Sequence, residues 1–186
     1  TEQMKAENQM LWVAKMNSIV HSAEEIVMTG RTPYQGRFEG TSIGDKEAVY
    51  RAFLLTKADK LKDKKFAILS GGEKQKIVIA RAVAQTTPWM LLDEPIASLD
   101  IKNQIEIMQT LSELNRQEGV SVLMVLHDIN LAGIYCDRLI MLKDGQVIAA
   151  GNTNECLCEE NLKKLYDISF FHMDTKKGQR YYYAEI

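Results

Sequence analysis

Apolar residues recur along this chain at two spacings. Ile77, Ala80, Val83 and Ala84 fall three to four residues apart, the period of one helix face, and Pro88 closes that run. Trp89, Met90, Leu91 and Leu92 follow without interruption, which predicts a strand buried on both faces, as in a parallel sheet. Ile101, Ile105, Met108, Leu111 and Leu114 then form the stripe of an amphipathic helix over residues 101–117, expected to face the core. Val120 to Leu126, apolar apart from Ser121, predicts a second strand. A strand, a crossover helix and a strand make a βαβ unit, whose two strands run in parallel.

The flanking segments read differently. Met4, Met10, Leu11, Val13 and Met16 fit a helix or an edge strand within residues 1–20. Ser22 with Glu25 three residues later is a capping box, opening a helix through Ile26 and Met28 that stops at Gly30. Gly30 to Tyr34 predicts an exposed turn. A helix from about Asp45 carries Val49, Ala52, Phe53 and Leu54, and Lys57 to Lys65 reads as a solvated, charged connection. After Asp128 a short helix ends near Tyr135. Leu139–Leu142 and Val147–Ala150 flank Asp144-Gly145, the signal of a hairpin. A helix around Leu162–Tyr166 and strands over Ile168–His172 and Arg180–Tyr183, joined at Lys176, Lys177 and Gly178, complete the chain. The tyrosine run reads as strand packing, with a partner-binding aromatic edge as the lesser alternative. His21 and His172 read as surface residues.

The candidate chemistry lies between Leu69 and Asp128. Ser70 and Glu73 form another capping box, which starts the helix at Gly71. Gly71 and Gly72 leave first-turn N–H groups uncovered at the positive end of the helix dipole, where an anion such as phosphate is stabilised. Each glycine costs about 1 kcal/mol relative to alanine in a helix, so two of them point to close backbone approach. Asp93 and Glu94 stand at the carboxyl end of the first strand, the edge where open α/β sheets bind ligands. Side by side, they suit a division of labour in which Asp93 holds magnesium directly or through water and Glu94 orients an attacking water. The plainer alternative is that they open a turn. His127 and Asp128 occupy the same place on the second strand, where a histidine can donate to a transferring phosphoryl oxygen. Ser98, Leu99 and Asp100 precede the intervening helix.

Together these residues resemble the second half of an ATP-binding-cassette (ABC) ATPase. Leu69 to Glu73 with Lys74 and Gln75 resembles the LSGGQ-type signature, and Met90 to Glu94 resembles Walker B with its catalytic glutamate. Ser98, Leu99 and Asp100 resemble the D-loop, and His127 the switch histidine; the four motifs occur in the family's order. The resemblance implies an α/β fold: a partial RecA-like P-loop NTPase core of mostly parallel sheet flanked by helices, an α-helical subdomain, and a C-terminal hairpin and strand region. The implied division is an N-terminal segment over 1–21, the helical subdomain over 22–68, the signature, Walker B and switch-histidine half of the core over 69–151, and a C-terminal helix and strands over 152–186. It also implies roles. Glu94 and His127 are catalytic, Asp93 binds Mg2+, Ser98, Leu99 and Asp100 form the D-loop, and Ser70, Gly71, Gly72 and Glu73 contact ATP held by a facing subunit. The implied partners are a second ABC ATPase subunit and a transmembrane permease that meets the helical subdomain. The Gly30-Arg31-Thr32-Pro33-Tyr34 turn is most similar to importers of iron-siderophore complexes, haem or cobalamin. The nearest position to the family's Q-loop glutamine is Lys15, with Gln9 too far upstream, and no Q-loop is assigned. Ile96 and Lys76 replace a frequent threonine and a usual arginine, and neither change removes a catalytic group.

Charge and composition narrow this further. A net charge of −2 gives no electrostatic footprint for nucleic acid. Cys136, Cys156 and Cys158 match neither a zinc site nor a disulfide framework and read as free thiols in a reducing compartment. No run reaches the ~20 apolar residues of a membrane span. Charges at Glu2, Lys5, Glu7 and Lys15 interrupt any signal sequence. The expectation is therefore a cytoplasmic protein, peripheral on the inner face of the membrane through a permease. No G-x-x-x-x-G-K-[ST] occurs in these residues. ATP and Mg2+ are thus expected only in an assembled site complemented by a P-loop, and the apolar faces around Leu91 and Val125 are expected to be uncovered. The reading is the C-terminal half of an importer ATPase, with no hydrolysis by this chain alone. The alternative is a non-catalytic partner subunit lending its signature in trans. A chromosome-maintenance ATPase ranks lower, because no sustained heptads flank the motifs.

Overall fold

A computed structural model of the protein describes residues 21–36, 40–175 and 178–185. The expectations for residues 1–20, with Gln9 and Lys15, and for Lys176 and Lys177 lie outside the described residues. The chain forms two compact units. One holds residues up to Met90 together with Ser98–Val122, and the other holds Leu91–Ala97 and Leu123–Ile186.

The first unit is mainly helical. Helix α1 (Ala23–Met28) starts at Ser22, whose hydroxyl accepts from the Glu25 N–H while the Glu25 carboxylate accepts from the Ser22 N–H. The lysine-rich connection after residue 57 is only partly the solvated link expected of it. Ala58 and Leu61 are buried, and the Lys64 and Lys62 carbonyls accept from the Ala23 and Glu24 N–H groups, which a helix start otherwise leaves unpaired. Helix α2 (Ile43–Leu55) begins two residues before Asp45, because Ser42 and Asp45 form a capping box with aspartate in the glutamate's place. Helix α3 (Gly71–Val83) begins at Gly71, as its own capping box requires.

Val27, Val49, Phe53, Leu61, Leu69 and Ile77 share one core, so α1, α2 and α3 are packed as a single body. Helix α4 (Ile101–Glu118) buries Ile107, Met108, Leu111 and Leu114. Its expected stripe fails at the start, where Ile101 is 75% exposed and Ile105 is 37% exposed. The helix ends at Gly119, whose φ of 68° is left-handed.

Strands β1 (Trp89–Leu92) and β2 (Ser121–Met124) form a two-stranded sheet. The Ser121 N–H donates to the Pro88 carbonyl and the Val125 N–H to the Leu92 carbonyl, so both strands advance in the same direction. The chain passes from one unit to the other within each strand. The expectation that β1 is buried on both faces does not hold. Met90 is buried, whereas Trp89 is 63% exposed and Leu91 72% exposed. Leu123 and Val125 are exposed as well, which matches the expectation of uncovered faces around Leu91 and Val125.

In the second unit, α5 (Ile129–Tyr135) precedes a hairpin of β3 (Arg138–Lys143) and β4 (Gln146–Asn152). Asp144 and Gly145 turn it with φ of 50° and 76°, the two left-handed residues of a type I′ turn. Short helix α6 (Thr153–Cys156) and α7 (Glu159–Tyr166) follow. An antiparallel pair, β5 (Phe170–Asp174) and β6 (Arg180–Ala184), completes the unit. Met141, Leu157, Leu162, Phe170 and Tyr182 form its core. Tyr182 is buried between the exposed Tyr181 and Tyr183, so the tyrosine run alternates as a strand does. Cys136, Cys156 and Cys158 are free thiols.

Among the described residues the architecture is thus mixed α/β with three small sheets, and the mostly parallel sheet expected from the sequence is represented by the β1–β2 pair. No described helix is long and apolar enough to cross a membrane.

Candidate functional site

The first constellation stands at the start of α3. Ser70 and Gly71 are exposed, and the Ser70 hydroxyl oxygen accepts from the Glu73 N–H at 3.3 Å. That contact leaves the hydroxyl proton available to an outside acceptor. The Glu73 carboxylate is engaged on both oxygens: one accepts from the Ser70 N–H at 2.9 Å, the other from Lys64 Nζ at 3.2 Å. These contacts, the Ser70 N–H first and Lys64 second, hold Glu73 below the ordinary carboxylate range. An anion approaching this turn therefore meets the exposed Ser70 hydroxyl and Gly71, while Glu73 keeps the turn capped; Gly72, expected to be uncovered, is buried.

The two glycines differ. A Cβ added to Gly71 would make an ordinary contact of 3.6 Å with Leu99 Cδ2. Gly72 is buried, and a Cβ there would fall 2.3 Å from Asn103 Oδ1. The Ser98, Leu99 and Asp100 segment thus lies against the start of α3 within the same unit. Asp100 caps α4, accepting from the Asn103 N–H at 2.9 Å and from Asn103 Nδ2 at 2.7 Å; these bonds lower its pKa.

The second constellation belongs to the other unit. Asp93 and Glu94 follow β1 directly, and His127 follows β2, so the parallel pairing brings the two strand ends side by side. Glu94 Oε1 and His127 Nε2 are 2.8 Å apart. An ionised carboxylate only accepts, which places the imidazole proton on Nε2. Glu94 has a φ of 44°, a left-handed backbone for a non-glycine residue, and residues held this way concentrate at functional turns. The Ala97 N–H closes that turn on the Glu94 carbonyl at 3.1 Å, and Pro95 and Ile96 are buried beneath it.

The donor set at Asp93 bears on which cation it suits. The described residues contain no cluster of three or more His, Cys, Asp or Glu side chains fit to hold a metal ion. Asp93 is exposed and offers one carboxylate. That fits Mg2+, which commonly takes one or two carboxylates and completes its shell with phosphate oxygens and water.

A third constellation was not legible from motifs. Gly30, expected in an exposed turn, is buried in a 3-10 turn over Thr29–Tyr34. Arg31 Nε donates to Asp45 Oδ1 at 2.9 Å, and Arg31 Nη1 donates to the Ala84 carbonyl at 2.8 Å and to Thr86 Oγ1 at 3.1 Å. Its guanidinium lies over the Tyr34 ring, 4.0 Å from the centroid, and the Tyr34 hydroxyl donates to the Gln85 carbonyl. Arg31 first, and then Ser42, holds Asp45 below the usual carboxylate range. The turn therefore ties the start of α2 to the end of α3. Arg31 and Tyr34 stood in the quoted turn, but nothing in sequence spacing reveals partners fourteen and more than fifty residues away.

Comparison with known proteins identifies the family. The ABC transporter family profile matches residues 3–97. The chain is similar to the ferric enterobactin transport ATP-binding protein FepC of Escherichia coli (strain K12), with 39% identity over 153 residues, covering 82% of this chain and 56% of FepC. It is 37% identical over 147 residues to the iron(3+)-hydroxamate import ATP-binding protein FhuC of Bacillus subtilis (strain 168), covering 79% of this chain and 54% of FhuC. The chain therefore spans about half the length of these relatives. Among solved structures, an inward-facing ABC transporter described as of metal-chelate type superposes with a TM-score of 0.85 at 26% identity, covering 91% of this chain and 69% of that one. The dimeric cassette MJ0796 superposes with a TM-score of 0.60 at 32% identity, covering 72% and 57%. With the signature turn, the Asp93-Glu94 strand end and its histidine in place, this chain belongs to the ABC transporter family.

Proposed function

We propose that this chain is the signature- and Walker B-bearing half of an ABC importer ATPase that couples MgATP hydrolysis to uptake of an iron-siderophore, haem or cobalamin-like solute. The observation that carries the reading is the Glu94–His127 pair, 2.8 Å apart at the ends of adjacent parallel strands. The names of its relatives support the solute class: FepC and FhuC are siderophore-type ATP-binding proteins, and a 37% identical relative from Halobacterium salinarum is the cobalamin import protein BtuD.

In this reading each residue has a definite task. The His127 N–H holds one Glu94 carboxylate oxygen, which leaves the other to accept a hydrogen from water and orient it for in-line attack. Asp93 supplies the carboxylate for a bound Mg2+, which would neutralise charge on the phosphates. Ser70 and the first-turn N–H groups of α3 act on a nucleotide held by a facing cassette, and Glu73 keeps that turn capped. Ser98, Leu99 and Asp100 act at the same facing site as the D-loop. The RecA-like core is completed by a P-loop segment outside these residues, and the helical part of the first unit meets a permease. The assembly is peripheral to the membrane on its cytoplasmic side.

A second reading rests on the absence of a P-loop motif within these 186 residues. Here the chain is a non-catalytic subunit that lends Ser70–Glu73 in trans. One experiment separates the two. The chain is mixed with a P-loop-bearing cassette segment and, separately, with a whole cassette whose own signature serine has been replaced by arginine, and phosphate release is followed. Hydrolysis restored by the segment and lost in Glu94→Gln supports the catalytic reading. Hydrolysis restored only with the whole cassette, and insensitive to Glu94→Gln, supports the second. No hydrolysis in either mixture overturns both.

A further inference from the structure

Gly72 is buried where an approaching phosphate would require it open. The side chain against it is Asn103: a Cβ on Gly72 would lie 2.3, 2.4 and 2.9 Å from its Oδ1, Cγ and Nδ2. A Cβ at 72 would have to displace the Asn103 side chain, so glycine there leaves the room that the amide occupies. Asp100 holds the amide by accepting from its Nδ2 at 2.7 Å, and accepts separately from the Asn103 backbone N–H at 2.9 Å. One turn further along both helices, Lys76 Nζ pairs with Glu106 Oε2 at 2.7 Å. Helices α3 and α4 are therefore clasped twice, in the same direction, close to their N-termini.

Capping alone does not account for this arrangement. Asp100 caps α4 through the Asn103 backbone N–H, and that bond needs no particular side chain at 103. The bond from Nδ2 and the close contact with Gly72 are additional. We propose that Asn103 is a positioning residue whose amide latches the Ser98–Asp100 loop to the first turn of α3, so that both present themselves to the facing nucleotide as one element. The inference rests on the roles proposed above for Ser70–Glu73 and Ser98–Asp100.

The latch itself is tested without nucleotide, by amide hydrogen exchange on the full chain. Asn103→Ala keeps the backbone cap and removes the amide. The Lys74, Gln75 and Lys76 amides, which follow the first turn of α3, are expected to exchange about tenfold faster, together with the first bonded amides of α4. Asn103→Asp has nearly the same shape but cannot donate to Asp100, and should behave like Asn103→Ala. Gly72→Ala alone should disturb the Asp100–Asn103 segment across the contact. Combined with Asn103→Ala it should add no further change there, because the Cβ then has room. Wild-type exchange of Lys74–Lys76 in Asn103→Ala, or wild-type behaviour of Asn103→Asp, overturns the latch.

The consequence for the site is read separately, as MgATP-driven pairing with a P-loop-bearing cassette. Asn103→Ala should weaken that pairing about tenfold. Undiminished pairing in this variant overturns the presentation role, even where exchange supports the latch. If the wild-type chain shows no nucleotide-driven pairing, the proposed function fails, while the exchange pattern still decides the latch.

Discussion

Gly30 and Gly44 should answer the same substitution with opposite signs. A Cβ on Gly30 would sit 2.2 Å from the Arg81 carbonyl oxygen and 3.2 Å from its carbon. Ordinary carbon–oxygen contact is about 1 Å longer, and the obstacle is helix backbone in the last turn of α3, which cannot rotate aside as a side chain can. The turn must lift away, and Arg31, one residue later, then loses its fit to Asp45 and the Ala84 carbonyl. Overpacking of this kind costs about 1–3 kcal/mol. With two long-range hydrogen bonds also disturbed, about 2–3 kcal/mol is expected for Gly30→Ala. Gly44 lies in the first turn of α2, where a Cβ would meet only Ser42 Oγ at 3.8 Å. Gly44→Ala should therefore stabilise the chain by about 0.5–1 kcal/mol through helix propensity and a stiffer unfolded chain. Urea unfolding followed by circular dichroism reads both. At a slope of about 2 kcal/mol per M, the midpoint should fall by roughly 1–1.5 M in the first variant and rise by a few tenths in the second. A Gly30→Ala midpoint within about 0.25 M of wild type would refute the tie between α2 and α3 through this turn.

Three further outcomes follow from the site. In a complex complemented by a P-loop, Glu94→Gln should still bind ATP but release phosphate about 10²–10⁴ times more slowly, and unchanged turnover would remove Glu94 from the mechanism. Ser70→Arg should block MgATP-driven pairing, because a long cation fills the anion's approach to α3; pairing at the wild-type nucleotide concentration, seen by light scattering, would contradict that assignment. Glu73 has a folded pKa below its unfolded value, so its stabilising contribution is present above the unfolded pKa of about 4.3 and is lost as pH falls through the folded value. Acidification from about pH 6 to pH 3 should thus destabilise the wild type more than Glu73→Gln, which can still cap Ser70 but cannot ionise, and parallel midpoint curves would count against the Lys64 pairing.

Local rules account for what was legible. Each Ser-x-x-Glu box sets a helix start from four consecutive residues, so α1 and α3 begin where the sequence places them. Ser42 and Asp45 use the same geometry with a shorter acid, which lies outside the Ser-x-x-Glu pattern. The Asp144-Gly145 turn is equally local. Failures occur where the answer depends on what lies opposite. Trp89, Leu91 and Ile101 are apolar, and periodicity assigns them to a core, yet they are exposed because none of the described residues covers them. The contacts of Arg31 and Asn103 are not legible in sequence, because they lie with partners far along the chain or with a glycine whose missing Cβ makes room for them. The pairing of Glu94 with His127 was implied only by the βαβ rule, which sets neighbouring strand ends together without fixing which side chains meet.

The two constellations are divided between the two units in a way that follows the proposed chemistry. Ser70, Gly71, Gly72, Glu73, Ser98, Leu99 and Asp100, the residues assigned to a facing nucleotide, all belong to the first unit; Asp93, Glu94 and His127, assigned to the nucleotide of their own cassette, all belong to the second. The chain changes unit between Ala97 and Ser98, and Ser98 has a left-handed φ of 59°. A non-glycine residue held there costs about 1 kcal/mol or more, which is retained only where the surroundings fix it. Three residues, Pro95, Ile96 and Ala97, thus separate Glu94, for which the water-orienting role is proposed, from Ser98, the proposed start of the D-loop. With Asp100 fixed by Asn103 on one side of that crossing and Glu94 fixed by His127 on the other, neither group depends on the loop between them for its orientation.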